Sequence, residues 1–273
     1  MGFLNYITQP LHFKPLQRMA GGFSILKNGE NPSEMMLRDQ IETLNLTRNV
    51  TIDLAGNIAE YRDPETGGHI KRTKRFVKRL ALELRRRCRE QDPRMDDNYI
   101  ELLTRSSPLH DIGKVGIPDA ILQKPGRLSS EEFSVMKKHT VYGRDIIEMA
   151  GKRLGKYSFL NIARDIAFCH HEKWDGSGYP SGLKGTEIPL SGRLMALADV
   201  YDALTSRRVY KPAFSHEKAV KIILAGEGTH FDPVIVTAFA ACESAFMEIS
   251  IKFADIKTGH LDFPLDSRWG SVN

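Results

Sequence analysis

The sequence predicts an all-α protein, and three observations carry that expectation. Apolar residues recur every three to four positions over long stretches. Segments alternating β-branched and polar residues are scarce, and Gly and Pro gather in two zones, residues 113–127 and 174–192, that interrupt the helical pattern. Of 273 residues, 41% are apolar and 27% charged, the balance of a globular chain and not of a disordered or disulfide-stapled one.

Taken in order, residues 1–33 hold Pro10, Pro15, Gly21, Gly22, Gly29 and Pro32, too many breakers for a long element, and read as an irregular arm. Over residues 34–60 a linker helix is expected. Leu37, Ile41, Leu44, Ile52, Ala55 and Ile58 fall near its period, either as a dimerising coiled-coil seam or as a helix packed on its own domain. A loop at 61–68 leads into a second helix from His69, where Phe76, Leu80, Leu84 and Cys88 recur at every fourth position. Ten basic residues against the single acid Glu83 lie between Lys71 and Arg89. This basic face reads as solvated and not as a nucleic-acid surface, because no aromatic interleaving accompanies it. Further helices are expected over 131–150, 160–171, 193–205, 216–225 and 233–254, with 61–254 forming one domain and 255–273 a tail.

No run approaches the about 18 apolar residues of a spanning helix, so no membrane insertion is expected. Residues 1–20 lack the apolar block of a secretory signal. Cys88, Cys169 and Cys242 are too far apart for a metal knuckle and read as reduced thiols of a cytoplasmic protein. The net charge of +5 suits an anionic ligand without naming one.

The chemistry lies in the histidines. His110 is followed by Asp111, His170 by His171, and Asp199 sits among apolar neighbours. Any one of these imidazoles could simply be satisfied by a backbone carbonyl. Taken together, His69, His110, His139, His170, His171, Asp111 and Asp199 supply the nitrogen and oxygen donors that borderline divalent metals favour. That is too many for one ion that also holds water and suits two, with Asp111 as a bridge, an arrangement that serves in-line displacement at phosphorus.

The run His110-Asp111-Ile112-Gly113-Lys114, then His139, then His170-His171-Glu172-Lys173-Trp174-Asp175-Gly176-Ser177-Gly178-Tyr179-Pro180, resembles the HD-GYP family of bacterial cyclic dinucleotide phosphodiesterases. The likeness runs from about residue 63 to 239 and includes Asp199-Val200-Tyr201-Asp202 and His230-Phe231-Asp232-Pro233. It implies an HD-type helical bundle with a C-terminal GYP helical extension, and hydrolysis of cyclic di-GMP to linear pGpG, with a further cut to GMP, by a metal-held hydroxide. His69, His110, Asp111, His139, His170, His171 and Asp199 match the family's metal ligands, for two or three divalent ions, iron or manganese. Glu65 stands where the family places a glutamate beside a third ion, or else it favours the start of the following helix.

Asp111 and Lys114 match the catalytic pair, and Lys114, Tyr179, Arg208 and Lys211 the substrate contacts. Val209 replaces a frequent proline. Relatives carry a sensor or receiver domain at the front, and the residues before His69 are too few for one. Two other functions stay open: a cyclic GMP-AMP phosphodiesterase, and a non-catalytic sensor or adaptor docking a GGDEF-domain cyclase. Partners expected from this reading are cyclic di-GMP, GGDEF-domain proteins and a second copy bound through the N-terminal helix, with no nucleic acid.

Overall fold

Helix α2 (His69–Cys88) carries the core on one face: Phe76, Val77, Leu80 and Ala81 are fully buried. In this computed structural model, residues 31–62, 68–88, 95–154, 159–206 and 213–254 are described, so residues 1–30 of the arm and the tail lie outside the described residues, and the first helix already starts at Pro32, within the expected arm. The chain divides into two compact units, Met1–Asn45 and Leu46–Asn273, and the boundary falls within α1 (Pro32–Tyr61). In the first unit Leu37, Ile41 and Leu44 are exposed.

In the second unit α2 packs against α3 (Asp97–Ser106), α8 (Leu190–Thr205), α10 (Pro233–Ala240) and α11 (Glu243–Lys252). Aromatic rings make the centre of this core. Phe76 stacks on Phe246 at 4.6 Å and meets Tyr201 edge-on at 5.1 Å, and Phe239 meets Phe246 edge-on at 5.0 Å. Such offset and T-shaped pairs add to what ring burial contributes. A smaller cluster of Ile52, Leu109, Ile147, Leu160, Ala163 and Ala167 joins the end of α1 to α6 (Lys138–Leu154) and α7 (Leu160–Cys169). The remaining helices are α4 (Asp119–Leu122), α5 (Ser130–Met136) and α9 (His216–Ala225), and there is no strand among the described residues.

Four details differ from the sequence reading, the first being that 233–254 forms two helices, α10 and α11, parted at Ala241 and Cys242. Along Leu46–Tyr61 the buried positions are Ile52, Gly56, Ala59 and Glu60, while Leu46, Val50, Leu54 and Ile58 are exposed. Close approach explains it: a Cβ at Gly56 would lie 2.5 Å from the Pro108 carbonyl oxygen, so this contact selects small residues and not large apolar ones. The stretch 131–150 is two helices broken at Lys137. The break frees carbonyls that side chains satisfy, Thr140 Oγ1 donating to Lys137 O at 2.9 Å and His139 Nδ1 donating to Met136 O at 2.8 Å. On α2, Arg72 is not solvated but buried at 2% exposure, donating to Asp202.

Among the described residues, no single helix is long and apolar enough to cross a membrane.

Candidate metal centre

Six pieces of backbone end around one buried spot. Glu60 comes from the end of α1, His69 from the first residue of α2, and His110 and Asp111 from the turn between two short 3-10 segments, Ser107–Leu109 and Ile112–Gly116. His139 opens α6, His170 and His171 follow α7, and Asp199 lies within α8. Pro108 at the start of the first 3-10 segment and the tight turn after Asp111 explain why this corner is not a continued α-helix.

The imidazoles are held from behind. His110 donates Nδ1–H to Ser107 O at 3.0 Å, His139 to Met136 O at 2.8 Å, and His170 to Ile166 O at 3.0 Å. With Nδ1 carrying the proton, each Nε2 presents a lone pair, the arrangement that metal-binding histidines use. His69 is held by a charge: its Nδ1 donates to Asp202 Oδ2 at 2.8 Å, and Arg72 grips the same carboxylate from Nε at 2.6 Å.

The freed lone pairs converge. His69 Nε2 and His110 Nε2 are 3.1 Å apart, and His139 Nε2 and His170 Nε2 are 3.5 Å apart. Asp111 Oδ1 is buried with no hydrogen-bond partner, 3.3 Å from His139 Nε2 and 3.5 Å from His170 Nε2. Acceptors facing acceptors at these distances repel unless a cation or a proton lies among them. The donor atoms fall into two groups, Asp111 with His139, His170 and His171, and Glu60 with His69 and His110, and within each group all lie within 4.8 Å of one another. Asp111 Oδ2 is 3.3 Å from His110 Nε2, so one carboxylate faces both groups. Asp199 Oδ1 stands 3.7 Å from His69 Nε2 and 3.9 Å from His110 Nε2. Nitrogen and carboxylate donors without thiolate, a carboxylate facing both groups and an orphaned buried oxygen fit divalent cations.

Charge in the site follows from burial and neighbours. Burial would raise the Asp111 pKa, but the ammonium of Lys114, with Nζ 2.8 Å from Oδ2, and His110 outweigh it and hold the carboxyl well below its ordinary range. Burial pushes Glu60 up to about 7. It pushes His139 down to about 4 and His171 well below its ordinary value, so both stay neutral ligands. Burial would lower His69 as well, yet the bond to Asp202 overrides it and raises the pKa to about 10. The His69–His110 pair thus keeps a proton where a cation would take its place.

Tyr179 closes one side, its ring 4.8 Å from His171 and its backbone N–H donating to His171 O at 3.2 Å. The loop that carries it is built around Glu172, buried at 1% exposure, whose two oxygens accept from Ser181 N at 2.7 Å and Leu183 N at 3.1 Å. Gly178 is required for the fold of this loop, since a Cβ there would lie 2.3 Å from Lys173 N.

The structure therefore brings together His69, His110, Asp111, Lys114, His139, His170, His171, Tyr179 and Asp199. Glu65, Arg208 and Lys211 lie outside the described residues. Glu60, Asp202 and Arg72 are the site residues that the sequence reading did not assign. Glu60 had a signal: it shares the helix face of Ile52, Gly56 and Ala59, where a carboxylate must be buried.

Residues 54–235 match the family model described as HD domain. The chain is 52% identical over 235 residues to a cyclic di-GMP phosphodiesterase of Vibrio cholerae, covering 86% of this chain and 47% of the relative. To a cyclic di-GMP phosphodiesterase of Thermotoga maritima it is 39% identical over 209 residues, covering 77% of this chain and 53% of that one. To a 3'3'-cGAMP-specific phosphodiesterase of Vibrio cholerae it is 39% identical over 199 residues, covering 73% and 35%. The chain spans between about a third and about half of the length of these curated relatives.

Proposed function

The chain belongs to the HD-domain family, in its HD-GYP branch, and from that premise we propose that it is a metal-dependent phosphodiesterase hydrolysing cyclic di-GMP to linear pGpG. The observation that carries this reading is the convergence of Asp111 with His139, His170 and His171 on one side and with His110, His69 and Glu60 on the other. Two relatives named for cyclic di-GMP support the choice of substrate. A bound pair of divalent cations supplies charge neutralisation at phosphorus and a water nucleophile of lowered pKa.

The chain's own residues do the rest. Asp111, ionised and facing both groups, and Asp199 complete the donor set with the five histidines. Lys114 presents a half-buried ammonium beside Asp111, placed to stabilise negative charge that develops on a phosphodiester held there. Tyr179 flanks the site with an aromatic face for a nucleobase. Arg208 and Lys211 extend the substrate contacts on the strength of their place in the sequence motif, as Glu65 does for a third ion and a second cut to GMP. Iron or manganese suits the thiolate-free donors. A catalytic segment over 61–254, a cytoplasmic setting with Cys169 and Cys242 as free thiols, and a homodimer through α1, whose Leu46, Leu54 and Ile58 are exposed, complete the reading.

The test is turnover of cyclic di-GMP and cyclic GMP-AMP in parallel by the manganese- or iron-loaded protein, with products resolved by chromatography beside an Asp111→Ala control. Loss of cyclic di-GMP that is faster than loss of the hybrid and absent in the control is the expected result. Equal rates in the control would refute the assignment.

A further inference from the structure

From the ring contacts beside the site, and resting on the reading above, we infer that Phe133 and Lys137 form a base-reading rim: Phe133 stacks a purine, and Lys137 donates to the acceptor edge that distinguishes guanine from adenine. The metal-facing His171 lies against Tyr179 at 4.8 Å and 30°. Tyr179 meets Phe133 edge-on at 6.0 Å. A run of rings therefore leads from the metal-facing His171 to the exposed Phe133.

Phe133 ends that run with 45% of its surface exposed, on α5, which buries none of its residues. A large aromatic side chain kept in solvent beside a site has no role in the core and offers a face to a base. Lys137 caps the same helix, with Nζ 5.4 Å from the Phe133 ring and 6.0 Å from the Tyr179 ring. Its side chain makes no ion pair among the described residues. The nearby acid Glu132 is already held by Lys124 at 2.6 Å, and Glu131 accepts from Ser129 at 2.8 Å. This leaves an ammonium with three donors and no hydrogen-bond acceptor, lying over one face of the Phe133 ring and leaving the other face to a base.

The two side chains read different things. Every base has a π-face, so stacking on Phe133 is indifferent to which base it meets. Both purines present N7 as an acceptor, but guanine presents the acceptor O6 where adenine presents an amino donor, so an ammonium at that position discriminates between them. Lys137 is accordingly a specificity residue, distinct from the phosphate-facing Lys114.

The experiment uses the manganese-loaded chain and hydrolysis-resistant phosphorothioate analogues of cyclic di-GMP and cyclic di-AMP, titrated to equilibrium, with metal content counted for each variant. Lys137→Met should lower the guanine-over-adenine affinity ratio roughly tenfold. Phe133→Ala should weaken both analogues roughly tenfold and hold the ratio. A ratio unmoved by Lys137→Met, or affinities unmoved by Phe133→Ala, overturns the inference. Turnover of cyclic di-GMP by the unsubstituted chain, measured alongside, separates the two readings. A shifted ratio without turnover keeps the rim and refutes the enzyme; turnover with an unmoved ratio does the reverse. No binding of either analogue refutes both.

Discussion

His69 and Asp202 are joined by a 2.8 Å hydrogen bond between Nδ1 and Oδ2 although 133 positions separate them in the chain. Through it α8 sets the orientation of the first residue of α2, and Arg72 fixes the carboxylate in turn. Asp202→Asn should therefore lower metal affinity about 10–100-fold, the usual effect of losing such a support. Arg72 would be left buried without its counter-charge, a loss of about 3–5 kcal/mol. Competition against a chelator and denaturant unfolding read the two effects separately.

Glu60 faces His69 Nε2 at 3.3 Å and is buried at 7% exposure. Glu60→Gln removes a charged donor from the group that holds His69 and His110 and leaves the Asp111, His139, His170 and His171 group intact. The bound metal per chain should fall by one ion, as read by elemental analysis after dialysis. An unchanged count would mean that Glu60 contributes no ligand.

Close backbone packing holds the halves of the site in register at Gly113. A Cβ there would lie 1.9 Å from His139 O and 2.4 Å from Gly143 N, and neither is a flexible side-chain end. Gly113→Ala should cost at least the upper end of the about 1–3 kcal/mol typical of overpacking, and should release metal as Asp111 is pushed from His139. Gly151→Ala is the contrast: it lies in α6 with nothing within 4 Å of the added methyl and should gain up to about 1 kcal/mol. Urea midpoints for the pair decide the matter.

How far the sequence could be read depends on what each feature requires locally. The helices were legible because α2 and α8 bury long apolar faces, and the centre was legible because adjacent His110 and Asp111, and adjacent His170 and His171, have few uses besides metal. The α1 contact was not, because it is made through Gly56 and Ala59, which a search for large apolar residues passes over. Asp202 and Arg72 were hidden for another reason: each reads as an ordinary charge, and only their pairing across 130 positions makes them buried partners. Lys137 was likewise one lysine among many until α5 and α6 proved to be separate helices with a break at that residue.

Burial pushes the thiol of Cys169 up to about 12 and that of Cys242 up to about 11, from an ordinary 9.0. Both should resist alkylation at about pH 8 in the native protein and react in urea, since only the thiolate attacks. The sign for stability follows: the raised folded values contribute stability that is fully present below the unfolded pKa and is lost as pH rises through about 11. Unfolding midpoints measured across that range should fall with rising pH, and a rise would contradict the burial of these thiols.

The proposed phosphodiesterase depends on cations held by the donor groups on either side of Asp111. Its most direct test is cyclic di-GMP turnover by chelator-stripped protein as manganous ion is returned in steps, with bound metal counted at each step. No turnover is expected in the stripped chain, and a rise that follows the filling of both groups is expected as metal returns. Full turnover without metal, or none with both groups filled, would contradict it.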